Sequence, residues 1–164
     1  DVVGRTFGVS GAATLRVTPT ATTIMASART YNDSDSGSYG QLIEGIAEAD
    51  AIQAGRTARL VGLVESGRDD AGFRTNLGLV SVSGEPMEVE VELRDGSGAG
   101  LGTRLVALEP WESVQLDRVF RAMTPEPVET GLALVRTTTP SGRFFAYASV
   151  IDNRTHDPVY VPAR

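Results

Sequence analysis

One histidine, His156, stands in the stretch Arg154-Thr155-His156-Asp157-Pro158, and it limits the chemistry open to this chain. A single imidazole rules out a multi-histidine metal site within one copy. A Ser-His-Asp relay would need a serine and an acid brought from elsewhere, and no nucleophile-elbow motif accompanies His156. The expectation is a surface histidine in a turn. Carboxylates come in pairs at Asp69-Asp70, at Glu44 with Glu48, and at Glu109 with Glu112. Glycoside hydrolysis needs two carboxyls about 5–9 Å apart in a cleft lined for sugar, and one Trp with four Tyr makes a thin lining. These acids read as solvated loop charge.

The run Asn32-Asp33-Ser34-Asp35-Ser36-Gly37 offers the oxygen ligands Ca²⁺ prefers, so Asp33 and Asp35 are the candidate metal ligands. The helix-loop-helix calcium pattern fails, because no acid falls at its bidentate twelfth position. A polar loop is favoured over a structural Ca²⁺, and the same discount applies to Asp152 with Asp157. Trp111 follows Pro110 at a connection. An exposed Trp anchors a protein or stacks on a sugar, and a covered one closes the end of a fold. Trp111, Tyr31 and Tyr39 are therefore the candidate partner-binding residues. No catalytic or cofactor-binding residue is assigned, and the expectation is a protein that is not an enzyme and carries no cofactor.

The balance of the 164 residues narrows the class further. A 41% hydrophobic and 22% charged composition is that of a globular protein, and a chain of this length buries roughly 70% of its unfolded surface. Eighteen Gly, eight Pro and abundant Val and Thr tilt it towards all-β. The net charge of −6 argues against nucleic acid and anionic membranes. All fifteen basic residues are Arg, spread evenly, which reads as coding bias. The absence of Cys excludes disulfides, thiol catalysis and Cys-ligated metal. No apolar run reaches the ~20 residues of a membrane span. No secretory leader precedes the first strand, so the expectation is a chain already free of one.

Strands must position whatever site exists. Met87, Val89, Val91 and Leu93 alternate with Glu88, Glu90 and Glu92, which predicts one buried and one wet face. Asp95-Gly96-Ser97-Gly98 is turn chemistry, and Leu101 to Leu108 returns beside the first strand, placing Arg104 across from the Glu stripe. Further strands are predicted over Thr22 to Tyr31, Arg56 to Val64, Phe73 to Val82, Ser113 to Leu116, Leu132 to Thr138, Arg143 to Ile151 and Val159 to Val161. Phe145, Tyr147 and Ile151 make the second face of the 143–151 strand apolar, so that strand is central or covered by something. Helix is scarce, with one or two turns from Asp117 to Met123 and a poor candidate from Glu44 to Ala54. Short strands at about 8–12-residue spacing predict an antiparallel β-sandwich from about Arg56 to Pro162. Its core would hold Phe73, Leu77, Leu79, Val89, Val91, Leu93, Leu134, Phe144, Ala146 and Ala148.

The chain also carries a partial internal repeat. Asp117 to Phe120, Gly131 to Arg136 and Phe144 to Asn153 match, in order, Asp1-Val2-Val3 with Phe7, Gly11 to Arg16 and Ile24 to Asp33. The stretch from about Phe73 to Leu116 has no counterpart before Asp1. This predicts a half-module over 1–54, built on a strand hairpin from Thr14 to Tyr31 plus a polar loop, followed by a complete module over 55–164. An isolated hairpin is marginal in water, so it should pair with the complete module or with another copy, the same chain being favoured.

Four motifs in order carry a resemblance: Ser27 to Asn32 (SARTYN), Gly37 to Gln41 (GSYGQ), Phe73 to Leu79 (FRTNLGL), and Tyr147 to Thr155 (YASVIDNRT) running on through Asp157-Pro158. They are similar to a largely uncharacterised repeat of secreted or surface proteins of soil and GC-rich bacteria. The resemblance implies an immunoglobulin-like sandwich in an extracellular or cell-surface setting, with no catalytic residues to carry over. The expected function is a non-catalytic structural or binding module. Its partners would be other domains of the same precursor or copies of itself. The alternatives are a fibre or surface-layer subunit assembled by strand complementation, and a carbohydrate-binding accessory domain using Trp111. No nucleic acid partner is expected.

Overall fold

The computed structural model describes residues 2–11, 13–35 and 37–164; Asp1 and Ala12 of the repeat and Ser36 of the acidic run lie outside them. Met87–Asp95 (here β6) shows how the fold is built. Val89, Val91 and Leu93 are fully buried while Glu88 is exposed and Glu90 and Glu92 lie on the outer face, as period-two alternation requires. The preceding strands are β1 (Ser27–Ser34), β2 (Gly37–Glu44), β3 (Ile52–Gln53), β4 (Ala58–Glu65) and β5 (Phe73–Ser81). The following ones are β7 (Gly100–Leu108), β8 (Ser113–Leu116), β9 (Val128–Thr137), β10 (Arg143–Asp152) and β11 (Pro158–Pro162).

Two antiparallel sheets pack face to face, so the chain is an all-β sandwich. One runs β4-β9-β6-β7, and the other β11-β10-β5-β8 with β3 added beside β10. Their inner faces share one core that includes Leu60, Leu63, Leu77, Leu79, Val89, Val91, Phe144 and Ala148. Each of the larger apolar side chains contributes on the order of 1.5–3 kcal/mol by leaving water. Leu60 and Leu63 both point inward because a bulge at Gly62, with φ of 76°, breaks the alternation of β4. The stretch after β8 forms turns rather than a helix, and Val119 and Phe120 in it are buried.

Two residues expected in the core lie outside it. Phe73 has inward parity but sits at the open end of β5 and is 43% exposed. Leu134 faces outward, because β9 pairs Ala133 with Leu93 and Val135 with Val91, so the smaller neighbours fill the core. The Glu stripe also meets a different partner. Arg104 pairs with Val91, one position off the stripe, whereas Arg136 of β9 stands opposite Glu90 and forms its ion pair.

The N-terminal hairpin differs from expectation in composition. The partner of β1 is β2, downstream, through the turn at Asp35, and the described residues from 14 to 26 form no strand. Pro19 has no N–H to give a ladder there, while Gly37, with φ of 130°, brings the chain back on itself. Upstream, among the described residues, lies a six-residue helix, α1 (Val2–Phe7). Among the described residues the hairpin is a separate two-stranded sheet with no backbone ladder to the sandwich. Between β2 and β3, the segment read as a weak helix holds a single 3₁₀ turn, Glu48–Asp50.

Candidate functional site

The cover required over the outer face of β10 is built from two tyrosines and the hairpin. Tyr147 of β10 and Tyr160 of β11 stack with ring centroids 5.7 Å apart. Gly78 of β5 lies directly beneath the Tyr147 ring; a Cβ there would come within 2.2 Å of ring carbons. Burial pushes both phenols above their ordinary pKa, and for Tyr160 the neighbouring Tyr147 and the Glu44 carboxylate add to it. β2 then approaches β11. The Gln41 amide donates to Ser149 Oγ at 3.1 Å, and Ser149 is buried. Between β2 and β11 runs an open cleft of about 500 Å³, bordered by Gln41, Leu42, Glu44, Asp157 and Tyr160.

A second contact holds the chain ahead of the hairpin. Arg16 places its guanidinium 4.4 Å from the centroid of the Trp111 ring and binds Glu48 Oε2 at 3.0 Å. Glu48 is bound in turn by Arg143, through its Oε1 at 3.4 Å and its carbonyl at 2.6 Å. Apart from such points the N-terminal segment stands off the sandwich. Every described residue from Arg5 to Asp33 is exposed, among them Phe7, Val9, Leu15, Val17, Ile24, Met25 and Tyr31.

The sequence candidates are distributed rather than gathered. Trp111 is 47% exposed, with Arg16 on its ring. Tyr31 is exposed on β1 with Arg29 above it, and Tyr39 is half-buried on β2. His156 is exposed in the β10–β11 turn, where its backbone N–H donates to the Asp152 carbonyl. The Asp152 carboxylate accepts the N–H groups of Thr155 and Arg154, which holds its pKa below the ordinary carboxylate value. Several of these carboxylates have bonding partners of their own. Asp69 binds Arg118 and Arg121, Asp70 binds Arg68, Glu48 binds the two arginines, and Glu112 accepts the N–H of Glu109. Asp33 and Asp35 are exposed at the tip of the hairpin. Among the described residues, no three acid or imidazole side chains converge as metal ligands do.

Sequence reasoning missed one buried polar centre. Glu65, 2% exposed, faces inward at the end of β4, and its Oε1 accepts from Arg118 Nη1 at 3.1 Å. Arg118 has φ of 45°, and its backbone N–H donates to Asn76 Oδ1. Glu65 Oε2 has no hydrogen-bond partner among the described residues and lies beside a shallow cleft with Ser66, Pro127 and Glu129. Removing Arg118 would leave the Glu65 carboxylate buried and uncompensated. The signal that would have found it is the Gly62 bulge, since strict alternation from Leu60 gives Glu65 the outer face. Comparison with protein-family models, with curated proteins and with solved structures returns no match to this chain.

Proposed function

We propose that the chain is a non-catalytic structural and protein-binding module, of immunoglobulin-like type, from a secreted or cell-surface bacterial protein. The sandwich of 55–164 serves as the rigid support and residues 1–54 as its docking half-module. One observation carries this reading: an exposed, apolar-studded segment from Arg5 to Asp33, ending in a strand with an unpaired edge, is mounted on a fully packed core. Exposed apolar side chains concentrated along one segment favour an interaction site over a solvated face. Removal of residues 1–46 tests it. The remaining sandwich is expected to unfold in one cooperative transition close to that of the whole chain. A truncated chain that fails to fold would make the segment part of the sandwich's own core, and the docking role would fall.

The free edge of β1 also favours a second reading, a subunit that assembles with copies of itself by strand complementation. Solution mass that rises with concentration supports it, and a monomer at all concentrations rules it out. A carbohydrate platform at Trp111 would have to use the ring face opposite Arg16, and retention on insoluble polysaccharide tests that role.

A further inference from the structure

We propose that residues 2–44 are a strand-donating arm whose partner is a half-sandwich of this same type, supplying the counterparts of β3 to β8 and lacking those of β9 to β11. The proposal rests on reading the arm as a docking element, and it names the occupant. Its basis is that the chain holds its own template. In the repeat, Ile24 to Asp33 stands where Phe144 to Asn153 stands, so β1 is the counterpart of β10. The pairing extends the match beyond the sequence. β1 is followed by a strand that folds back on it, Ser27 opposite Glu44 and Tyr31 opposite Gly40, as Tyr147 lies opposite Pro162 and Ile151 opposite Pro158. The hairpin β1–β2 is thus the counterpart of β10–β11.

The two hairpins differ in what lies on the other edge. Beside β10 runs β5, paired from Phe73 opposite Asp152 to Ser81 opposite Phe144. Beside β1, among the described residues, there is no strand other than β2. Transferring the register gives the chemistry of the occupant. Leu77 and Leu79 pair with the small residues Ala148 and Ala146, so a donor strand with leucines opposite Ala28 and Ala26 fits the same way. The segment ahead of β1 fits the second sheet. Gly11 to Arg16 matches Gly131 to Arg136, which lie in β9 between β4 and β6. Leu15 then takes the place of buried Val135, and Arg16 that of Arg136, whose partner is Glu90. A partner strand with a carboxylate at the Glu90 position would receive Arg16.

To make this exchange the arm gives up the Gln41 to Ser149 hydrogen bond and the place of β2 beside β11. What holds Arg16 in place is an exposed ion pair and a ring contact, and neither is a buried anchor. A second whole copy cannot supply the slot, because its β5 is already enclosed by β8 and β10, and its β9 already fills the place between β4 and β6.

The test is the full chain carrying, ahead of Asp1 and through a flexible linker, a second copy of its own residues 52–116. Amide exchange at Leu15 and at Arg29, whose N–H faces the open edge of β1, is expected to slow by roughly a hundredfold or more relative to the parent, the protection of a strand inside a sheet. The same extension with Leu77→Asp and Leu79→Asp in the added copy alone should leave both amides as in the parent. Equal exchange in the extended and parent chains overturns the proposal; if truncation of 1–46 still leaves the sandwich intact, the docking reading survives it. Protection in the parent that grows with concentration, together with a doubled mass, would assign the edge to a second copy and also overturn it. Loss of the sandwich on truncation would remove both readings together.

Discussion

At Gly78 the backbone of β5 passes under an aromatic ring, and that single missing methyl lets the outer face of the sheet close. A Cβ would lie 2.2 Å from two Tyr147 ring atoms, so Gly78→Ala must displace the ring and break its stack on Tyr160. We expect a loss of about 1–3 kcal/mol of stability, read from urea denaturation. Tyr147→Ala in the same chain should remove most of the added penalty; equal costs in both backgrounds would mean that the ring does not set it. The same two phenols give a pH dependence with a definite sign. Their folded pKa lies above the ordinary 10.0, so their contribution is fully present below pH 10.0 and is lost as pH rises through the folded values. Tyr147→Phe should flatten the alkaline limb of midpoint against pH, and a limb unchanged by it would sink the assignment. Asp152, with a lowered pKa, works in the opposite direction at the acid end, its contribution fading as pH falls through its folded value.

Among the elements, β6 is the one whose two faces differ most sharply. Val91 is fully buried while Glu90, its neighbour, sits on the outer face beside Arg136. Val91→Ala should therefore cost about 1–3 kcal/mol through a cavity and lost burial. Glu90→Ala should cost about 0–1 kcal/mol, the worth of an exposed pair. Equal urea midpoints for the two variants would reverse the face assignment. This strand was legible because alternation needs no partner to be read. The cover over β10 was legible for a related reason: Phe145, Tyr147 and Ile151 left its second face too apolar to be wet. Register was not legible. One position separates Arg104 from the Glu stripe, and the offset is set by the bulge between Leu93 and Arg94 together with the turn from Asp95 to Ala99, where the Asp95 carboxylate accepts the Ala99 N–H. Nor was β2, since Gly37 to Glu44 mixes Gly, Ser, Gln and Glu without alternation and forms a strand only because β1 lies beside it. Glu65 escaped for the opposite reason, a glycine bulge that inverted a regular pattern.

On the scale of the whole molecule, the open question for any sandwich is what guards its edges. β4 is guarded by Arg164: the Arg59 N–H donates to the Arg164 carbonyl at 2.6 Å, and the Arg164 N–H donates back to the Arg59 carbonyl at 2.9 Å. β11 has β2 beside it across the open cleft, and β8 is only four residues long. β7 is long, and its register gives Arg104 the inward parity of Val91, yet the side chain is exposed. A charge at an inward position of an edge strand opposes pairing with another sheet, because docking would force it out of water. Arg104→Val removes that guard while adding a β-branched residue suited to the strand. The thermal midpoint should hold or rise slightly, whereas sedimentation should reveal self-association at concentrations where the parent is smaller. If the variant keeps the parent's mass throughout, Arg104 is not what keeps β7 unpaired. The contrast with β1 gives this variant its meaning. β7 carries a device against pairing along an edge the sandwich does not use, while β1 turns the backbone of Ser27 and Arg29 to an edge that the template of β10 fills with another strand.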